Sequence, residues 1–582
     1  MSAIVSTESL SLELTFPSTF SFQLPFGSGG NYNCTVNWGD GSAPVNITVY
    51  DAPETLHSYS AGTYQLTING FVGEFSFNNS SSAQYVTDIF SYGTDCAFSS
   101  GAFHGCAGLT TITATDKPGI HKANYFFANT NINDPKIIGY DYRFSYLSAS
   151  HTFANNPSLT LDLSPVRFNS SIGVTYALLN CTSFNHSIQE WFDEGNVPRS
   201  INDNPLSWLM NGELWGGFTN DLLKGCSSFN SDMSRCYISG ATPRIGRMFD
   251  GASSFNGDVS TKIVNAGTPE QYTAWDVSSC SRFETCFASN PVFNQSLSTW
   301  DVSGNTIYMF YNCDAFNNGD AAGVSGGGVG IGMDNWHTGG VAPQLIFMFG
   351  FTDSFNQYIG SWDTSLCTSF RSLFCVATAF NQQISGWDTS GLNDGLALMD
   401  MFDNALVFND GNPAGVSVGG VGIGMDNWNA SNCTSLQRVF RNTPFNQYIG
   451  SWDVSSATLF DYMFNGASYF NQDISGWNTQ SAISIVGMFD GATAFDQDLS
   501  GWDMSSLAVA TEAFNDCGLS DANLAAILVA WEANNPSSNV DATAMFGSRT
   551  MNATTYASAK AAYDSLTNPL TYNWNITLLQ WV

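Results

Sequence analysis

Basic side chains are scarce in this sequence. Lys and Arg number 17 against 49 Asp and Glu, and none precedes Lys117. Proteins that hold nucleic acid neutralise phosphates with such residues, so that class of partner is excluded, as is an anionic membrane surface. The acidity itself has two readings: solubility, or a docking surface for cations and basic partners. Long apolar runs are missing too. Leu524 to Trp531 falls far short of the roughly 20 residues that cross a bilayer. The opening MSAIVSTESLSLELTF has no basic n-region and no clean apolar core, so a mature chain is expected, or one that travels without the usual secretory signal. His is limited to six residues with no HExxH spacing, no carboxylate pair stands apart from the rest, and no nucleophile elbow is expected, so catalysis finds no footing. The 13 cysteines include no C-x-x-C, which speaks against a zinc ribbon or a thioredoxin-like site. Cys280/Cys286 and Cys367/Cys375 stand close enough in sequence to bridge; the alternative is that the cysteines are small buried apolar residues.

What the sequence has in abundance is self-similarity. MFNGASYFNQDISGWNTQS begins at Met463, and MFDGATAFDQDLSGWDMSS begins at Met488. Phe310, Phe349, Phe374, Phe402, Phe440, Phe464, Phe489 and Phe514 open successive units, with weaker copies upstream through Phe103, Phe127, Phe153, Leu179 and Leu223, and one more at Phe546. The tryptophans keep the same beat, at Trp362, Trp387, Trp452, Trp477 and Trp502. Fixed offsets between large apolar residues mean that each winding turns the same side chains inward. One winding buries a Phe, a Leu or Ile and a Trp for roughly 5–8 kcal/mol, while ordering its backbone costs about 1–2 kcal/mol per residue. A lone winding therefore fails, and a stack succeeds. Within the unit, DISGW or DLSGW is expected to be a short strand and the MFxGA stretch one turn of α- or 3-10 helix. Trp477, Trp502, Phe464 and Phe489 are the expected core ladder, together with Trp362, Trp387 and Trp452.

The stretch Ala102 to Asp116, AFHGCAGLTTITATD, resembles the BspA-type leucine-rich repeat, and the downstream MFxGAxxFNQDLSGWDVS units are similar to an allied family of surface-protein repeats. The likeness runs over about residues 85–548 and implies a right-handed solenoid that works on surfaces, often without a defined ligand. TVNWGDGS (Thr35 to Ser42) with HSYSAGTYQLTI (His57 to Ile68) resembles a PKD-type β-sandwich. In it Asp40-Gly41 suits a tight turn, with a metal ligand as the other reading of Asp40, and His57 is expected to be a packed structural residue. The expected fold is thus mainly β: a PKD-like sandwich over residues 1–84, a leucine-rich-repeat-like solenoid over 85–518, and a small α/β cap over 519–582. Ser520 caps a helix in which Leu524, Ile527, Leu528 and Trp531 share a face.

Three features bear on function. First, Asp follows Trp in a column at Asp276, Asp301, Asp363, Asp388, Asp453 and Asp503. These carboxylates either close Asx turns on their own backbone or hold calcium, which takes several oxygens per ion. Asn478 interrupts the charge series and fits the hydrogen-bonding reading better. The Asn of FNQ, as in Asn356, Asn381, Asn446 and Asn471, is expected to form an internal hydrogen-bond ladder. Second, two units carry an equal excursion ending in GVGIGMDNW, Phe316 to Trp336 and Phe408 to Trp428. Their equal length argues for a defined loop: a hairpin that touches a neighbouring molecule through Val329, Ile331, Met333, Val421, Ile423 and Met425, an intramolecular cover, or, least supported, a phosphate cradle. A third excursion carries Trp191, Trp208 and Trp215. Third, Asn33, Asn46, Asn169, Asn294, Asn429 and Asn575 stand in N-x-S/T sequons and permit glycosylation.

The expectation is a non-enzymatic structural or adhesion protein on a cell or virus-particle surface, without a cofactor. Its partners are a protein or glycan on another surface, or neighbouring copies in an assembly; direct membrane insertion is not expected. A calcium- or carbohydrate-binding extracellular module is the alternative.

Overall fold

The computed structural model describes residues 9–142, 150–163, 165–168, 176–186, 221–236, 244–268, 271–336, 344–534, 536–577 and 579–582. It divides into two compact units, Met1–Ser281 and Arg282–Val582. Strands, single bridges and turns make up most of the ordered backbone, and helices are few.

The first unit opens on a sheet. Its strands are β1 (Ser9–Phe16), β2 (Phe20–Gln23), β3 (Tyr32–Asn37), β4 (Val45–Ile47), β5 (Leu56–Tyr59), β6 (Gly62–Phe75), β7 (Val86–Ser91) and β8 (Cys96–Phe98). The main sheet runs β4-β3-β6-β1-β7, while β2 pairs separately with β5. Alternation puts Leu10, Leu12, Leu14 and Phe16 of β1 on one face, and all four are buried. That burial is worth roughly 6–12 kcal/mol gross. Phe16 meets Phe22 of β2 at 6.1 Å and Tyr59 of β5 at 4.6 Å, so the strand pair covers the main sheet. Residue 84 is not the end of this sheet. β7 pairs with β1, β8 joins the end of β6 in parallel, and Phe98 then bridges Ile120 in parallel. The sheet passes directly into the first winding.

At its Phe corner each winding is joined to the next by a regular pattern of backbone hydrogen bonds. The N–H groups of Phe460, Tyr462, Phe464 and Gly466 donate to the carbonyls of Ser484, Val486, Met488 and Asp490 in the following winding. The alternate amides of Met463, Asn465 and Ala467 instead close i→i+3 turns on Phe460, Tyr462 and Phe464. From Tyr462 to Ala467 every amide is therefore satisfied, half within its winding and half across. The pattern demands a left-handed residue two positions before the ladder Phe and another two after it: Tyr462 and Gly466, Gly487 and Gly491, Arg438 and Asn442, Asp400 and Asn404. The expected helical turn of MFxGA is thus a run of hydrogen-bonded turns broken by left-handed residues. In the first unit the same rule centres one winding on Leu178, flanked by left-handed Tyr176 and Asn180, so the register at Leu179 is one residue off.

The expected strand at DISGW is also corrected. Asp473 Oδ1 accepts from Ser475 N at 2.9 Å, and Trp477 N donates to Ile474 O at 3.2 Å. The Asp side chain captures an amide that a strand would offer to its neighbour, and a turn results. Parallel pairing falls instead on one residue per winding, in the series Ser435, Leu459, Ser484, Val509 and Asp541.

The second unit ends in two helices, α1 (Asp521–Ala533) and α2 (Ala557–Thr567). Ser520 caps α1 by accepting from Asn523 N, and Leu524, Ile527, Leu528 and Trp531 are buried. Trp531 continues the tryptophan column by donating to Leu499 O at 3.2 Å. A further winding at Phe546 stacks on Phe514 at 5.8 Å, and the short strand Arg549–Met551 pairs in parallel with Leu579–Trp581.

Candidate interaction surface

The repeated side chains form columns, and each column has a partner. Trp477 and Trp502 stack at 6.2 Å with planes 5° apart, and Trp362 and Trp387 at 6.1 Å and 2°. Trp452, Trp477 and Trp502 are buried and donate to Met425 O, Ile449 O and Ile474 O at 2.8, 3.1 and 3.1 Å. Phe464 and Phe489 lie 5.5 Å apart in a second column. The asparagines form a third. Asn446 N donates to Asn409 Oδ1 at 2.9 Å, Asn471 N to Asn446 Oδ1 at 3.0 Å, Asp496 N to Asn471 Oδ1 at 2.9 Å, and Ser520 N closes the series on Asp496 at 2.8 Å.

The aspartates after Trp close turns. Asp276, Asp363, Asp388, Asp453 and Asp503 each accept the amide of the Ser two residues on, at 2.8–3.2 Å. Asn478 accepts Gln480 N in the same way at 3.2 Å. Hydrogen bonds from the paired serine hold Asp363, Asp388 and Asp453 below the ordinary carboxylate range. Asp301 occupies the same place after Trp300. Among the described residues, no cluster of three His, Cys, Asp or Glu is placed to hold a metal ion. Asp40 accepts from Ser42 N at 2.9 Å and pairs with His57 at 2.7 Å, which stacks on Trp38 at 4.5 Å. Bonding from Ser42, ahead of that from His57, brings the Asp40 pKa down to about 2.

All thirteen cysteines are free thiols, twelve of them buried. Cys106, Cys181, Cys226, Cys313 and Cys517 stand three residues after the ladder position, where other windings place Ala, Thr or Asn. Cys313 Sγ donates to Phe287 O at 2.7 Å, and Thr352 Oγ1 donates to Phe310 O at 2.8 Å from the same position. A small side chain with a donor fits there, and burial raises the thiol pKa values of Cys106, Cys181 and Cys226, well above the ordinary range at Cys106 and Cys226.

The excursions are two copies of one structure. At the base of each, Asn317 Nδ2 donates to Ala321 O and Val324 O, and Asn409 Nδ2 to Pro413 O and Val416 O. Each then turns through a tight bridge, Gly328 to Ile331 and Gly420 to Ile423. Gly330 and Gly422 take φ of 66° and 67°, which a side chain would strain. Asp334, 5% exposed, accepts Gly330 N at 2.8 Å and Ser361 N of the next winding at 2.9 Å. Asp426 repeats this with Gly422 N at 2.7 Å and Ser451 N at 2.8 Å. These clasps were not foreseen in the sequence, although the shared DNW ending marks both. At the tips Val329 and Val421 are each 75% exposed, with Ile331 at 63% and Ile423 at 60%. Met333 and Met425 do not belong with them. Both are buried, and their carbonyls receive Trp362 Nε1 and Trp452 Nε1, because a 3-10 turn swings them into the core. The stretches GVSGG (323–327) and GVSVG (415–419) do carry G-x-S-x-G spacing, but Ser325 and Ser417 sit in these loops without a strand before or a helix after, so no elbow forms.

Of the sequon residues, Asn33, Asn46 and Asn575 are exposed. Asn294 is taken into the asparagine column, accepting Asn317 N at 2.8 Å and donating to Asp320 O, which removes it as an open acceptor. Asn429 closes a turn on Ser431 N at 3.0 Å. Asn169 and the Trp191, Trp208 and Trp215 excursion lie outside the described residues. A surface stack also went unforeseen: His104, Tyr125, His151 and Tyr176 lie ring on ring at 5.2, 4.3 and 4.4 Å. Tyr125, His151 and Tyr176 stand at the left-handed positions before the ladder residue, with His104 one residue after Phe103, a register the composition does not reveal. Among the described residues no helix is long and apolar enough to cross a membrane.

No curated protein and no solved structure matches the chain. A family described as "Mycoplasma protein of unknown function, DUF285" matches residues 218–272, 269–323, 328–414 and 418–527. Those segments carry the aromatic and asparagine columns, break off briefly inside each excursion, and cover just over half of the sequence, so the chain belongs to the DUF285 family.

Proposed function

We propose that this chain is a non-enzymatic surface component that acts through extended area: a solenoid of BspA-like windings, closed at its start by a PKD-like sandwich and at its end by the α1–α2 cap. It serves adhesion or surface structure on a cell or a virus particle. One observation carries the reading. The recurrent polar side chains are spent on closing turns and on holding winding to winding, while the two clasped hairpins hold Val and Ile outward in duplicate. Rigid presentation of an uncharged apolar tip suits contact with another molecule and supplies no acid, base or nucleophile.

The test is a pair of binding measurements on the full chain. Melting is followed with and without millimolar calcium, and a glycan array is screened. An unchanged melting temperature with no glycan bound is the expected result. A calcium-dependent rise, or a saturable glycan, replaces this reading with the binding-module alternative. Antibody labelling of intact cells and particles then reports which surface carries the chain.

A further inference from the structure

We infer that the twin hairpins are a self-association device, in which the first tip of one copy seats against the second tip of another, and the reverse, about a two-fold axis between them. The inference rests on the surface role proposed above and names its partner as a second copy of this chain.

Three observations carry it. The first is duplication. The hairpins spring from Phe316 and Phe408, which lie in one column with rungs of 6.0, 5.8 and 6.0 Å through Phe355 and Phe380, so the tips stand about 18 Å apart along the stack. They leave their windings at the same point and carry the same clasp, and therefore face the same way. A two-fold axis midway between two equal tips superposes tip one on tip two of the partner, and satisfies both contacts at once.

The second is charge. The chain carries a net −32, so two copies repel over most of their surface. Residues 324–333 and 416–425, by contrast, contain no ionisable side chain. The tips are where like-charged copies approach without opposing carboxylates. A basic partner would gain nothing from them and would seat on the acidic surface instead.

The third is rigidity. Val329, Ile331, Val421 and Ile423 are held by two-residue hairpins whose glycine amides are tied to buried carboxylates that also grip the next winding. The tips lose little conformational freedom on docking, which is the cost that most weakens apolar contacts between surfaces.

Sedimentation of the full chain tests this at rising salt. Screening shrinks the reach of the repulsion from about 10 Å at 0.1 M to about 3 Å at 1 M, so association should strengthen with NaCl, where a charge-driven contact would weaken. Val329→Ser/Ile331→Ser and Val421→Ser/Ile423→Ser are made separately and together. Each pair changes exposed side chains, so folding is retained, and circular dichroism checks that. In the crossed arrangement, losing either tip spoils both contacts, so each double variant should associate at least tenfold more weakly. Mixing the two double variants restores one intact tip pair, and should recover a mixed dimer that neither forms alone. A wild-type chain that stays monomeric up to 1 M NaCl overturns the inference, as does a quadruple variant that associates like wild type. A double variant that still dimerises fully refutes the crossed pairing. None of these results bears on the calcium and glycan test of the surface role.

Discussion

Trp477 and Trp428 occupy the same column and are equally well buried, at 2% and 3% exposed, yet differ in one hydrogen bond. Trp477 Nε1 donates to Ile449 O at 3.1 Å, whereas Trp428 Nε1 is buried with no acceptor. Replacing each by Phe removes similar ring area, so the transfer and cavity losses are comparable. At position 477 the change also forfeits a hydrogen bond worth about 1 kcal/mol; Ile449 O keeps its bond from Trp452 N, so no second group is orphaned. At position 428 the change removes an unsatisfied donor, a relief of about 1–3 kcal/mol. Trp477→Phe should therefore destabilise more than Trp428→Phe by roughly 2–4 kcal/mol. Trp477→Ala, which also empties the column beside Trp502 and Phe464, should cost about 3–5 kcal/mol. Urea denaturation gives the totals. Amide exchange shows where the loss falls, which in a stack held by nearest neighbours is the windings around Phe464 and Phe489. Equal costs for the two Phe variants would refute the assignment of the indole donors, and a Trp477→Ala cost under about 1 kcal/mol would refute the inner column itself.

Asp410 accepts from Ile384 N and Ser385 N, and burial raises its pKa, so its charged form is disfavoured in the fold. Its stabilising effect is present at acid pH and lost as pH rises through the raised value. In the first excursion Asn318 does this work, accepting Leu297 N and donating to Ser298 Oγ. Asp410→Asn should raise stability at pH 7 by about 1 kcal/mol, and urea titration at pH 7 and pH 4 should show the gain shrinking with acid. Burial, with His104 second, lowers the His151 pKa to about 4, below the ordinary 6.5. The unfolded chain then binds more protons between those values, so stability falls as pH drops from 6.5 towards 4. Allowing for partial exposure, His151→Phe should remove roughly 1–2 kcal/mol of that acid sensitivity in melts at pH 7 and pH 4.5. Asp453→Asn should change stability by less than about 0.5 kcal/mol, because Asn478 already serves in the neighbouring turn.

The columns were legible in the sequence because a stack repeats its environment. Phe464 and Phe489, or Trp477 and Trp502, meet the same neighbours, so the same residue recurs. The asparagine column and the Asx turns followed from the same logic. The DISGW strand did not survive, because period-2 alternation is shared by strands and by a turn in which Asp473 takes the amide of Ser475. The left-handed positions were invisible for the opposite reason. Tyr462, Arg438, Asp400, Phe347, Ser372 and Thr285 all hold positive φ at the same place, although several of these types resist it. The conformation is imposed by amides that must alternate between their own winding and the next, and no residue type announces it. Met333 and Met425 misled as part of an apolar run whose first half points out and whose second half is folded in by a 3-10 turn.

That division within the excursions explains where such a fold can place function. At the Phe corner every backbone donor is committed, alternately to its own turn and to the neighbouring winding, so an inserted residue there would break the ladder across at least two windings. Between the second Phe and the Trp the constraint is weaker. Asn317 and Asn409 still accept from the next winding and donate into their own excursion, and Trp336 still reaches Leu297 O, however many residues lie between. A longer connection there costs little more than loop-closure entropy, about 0.6 kcal/mol per doubling. The clasp by Asp334 or Asp426 then stiffens what would otherwise be a loose loop. If this account holds, Asp334→Ala should leave the columns intact and loosen its own hairpin together with the Ser361 amide it grips. Amide exchange would quicken at Gly330 and Ile331, while the Gly422 and Ile423 amides of the second copy stay protected. Faster exchange at both hairpins, or along the Asn column, would mean that the excursions are woven into the stack after all, and that the tips are not independent of the windings that carry them.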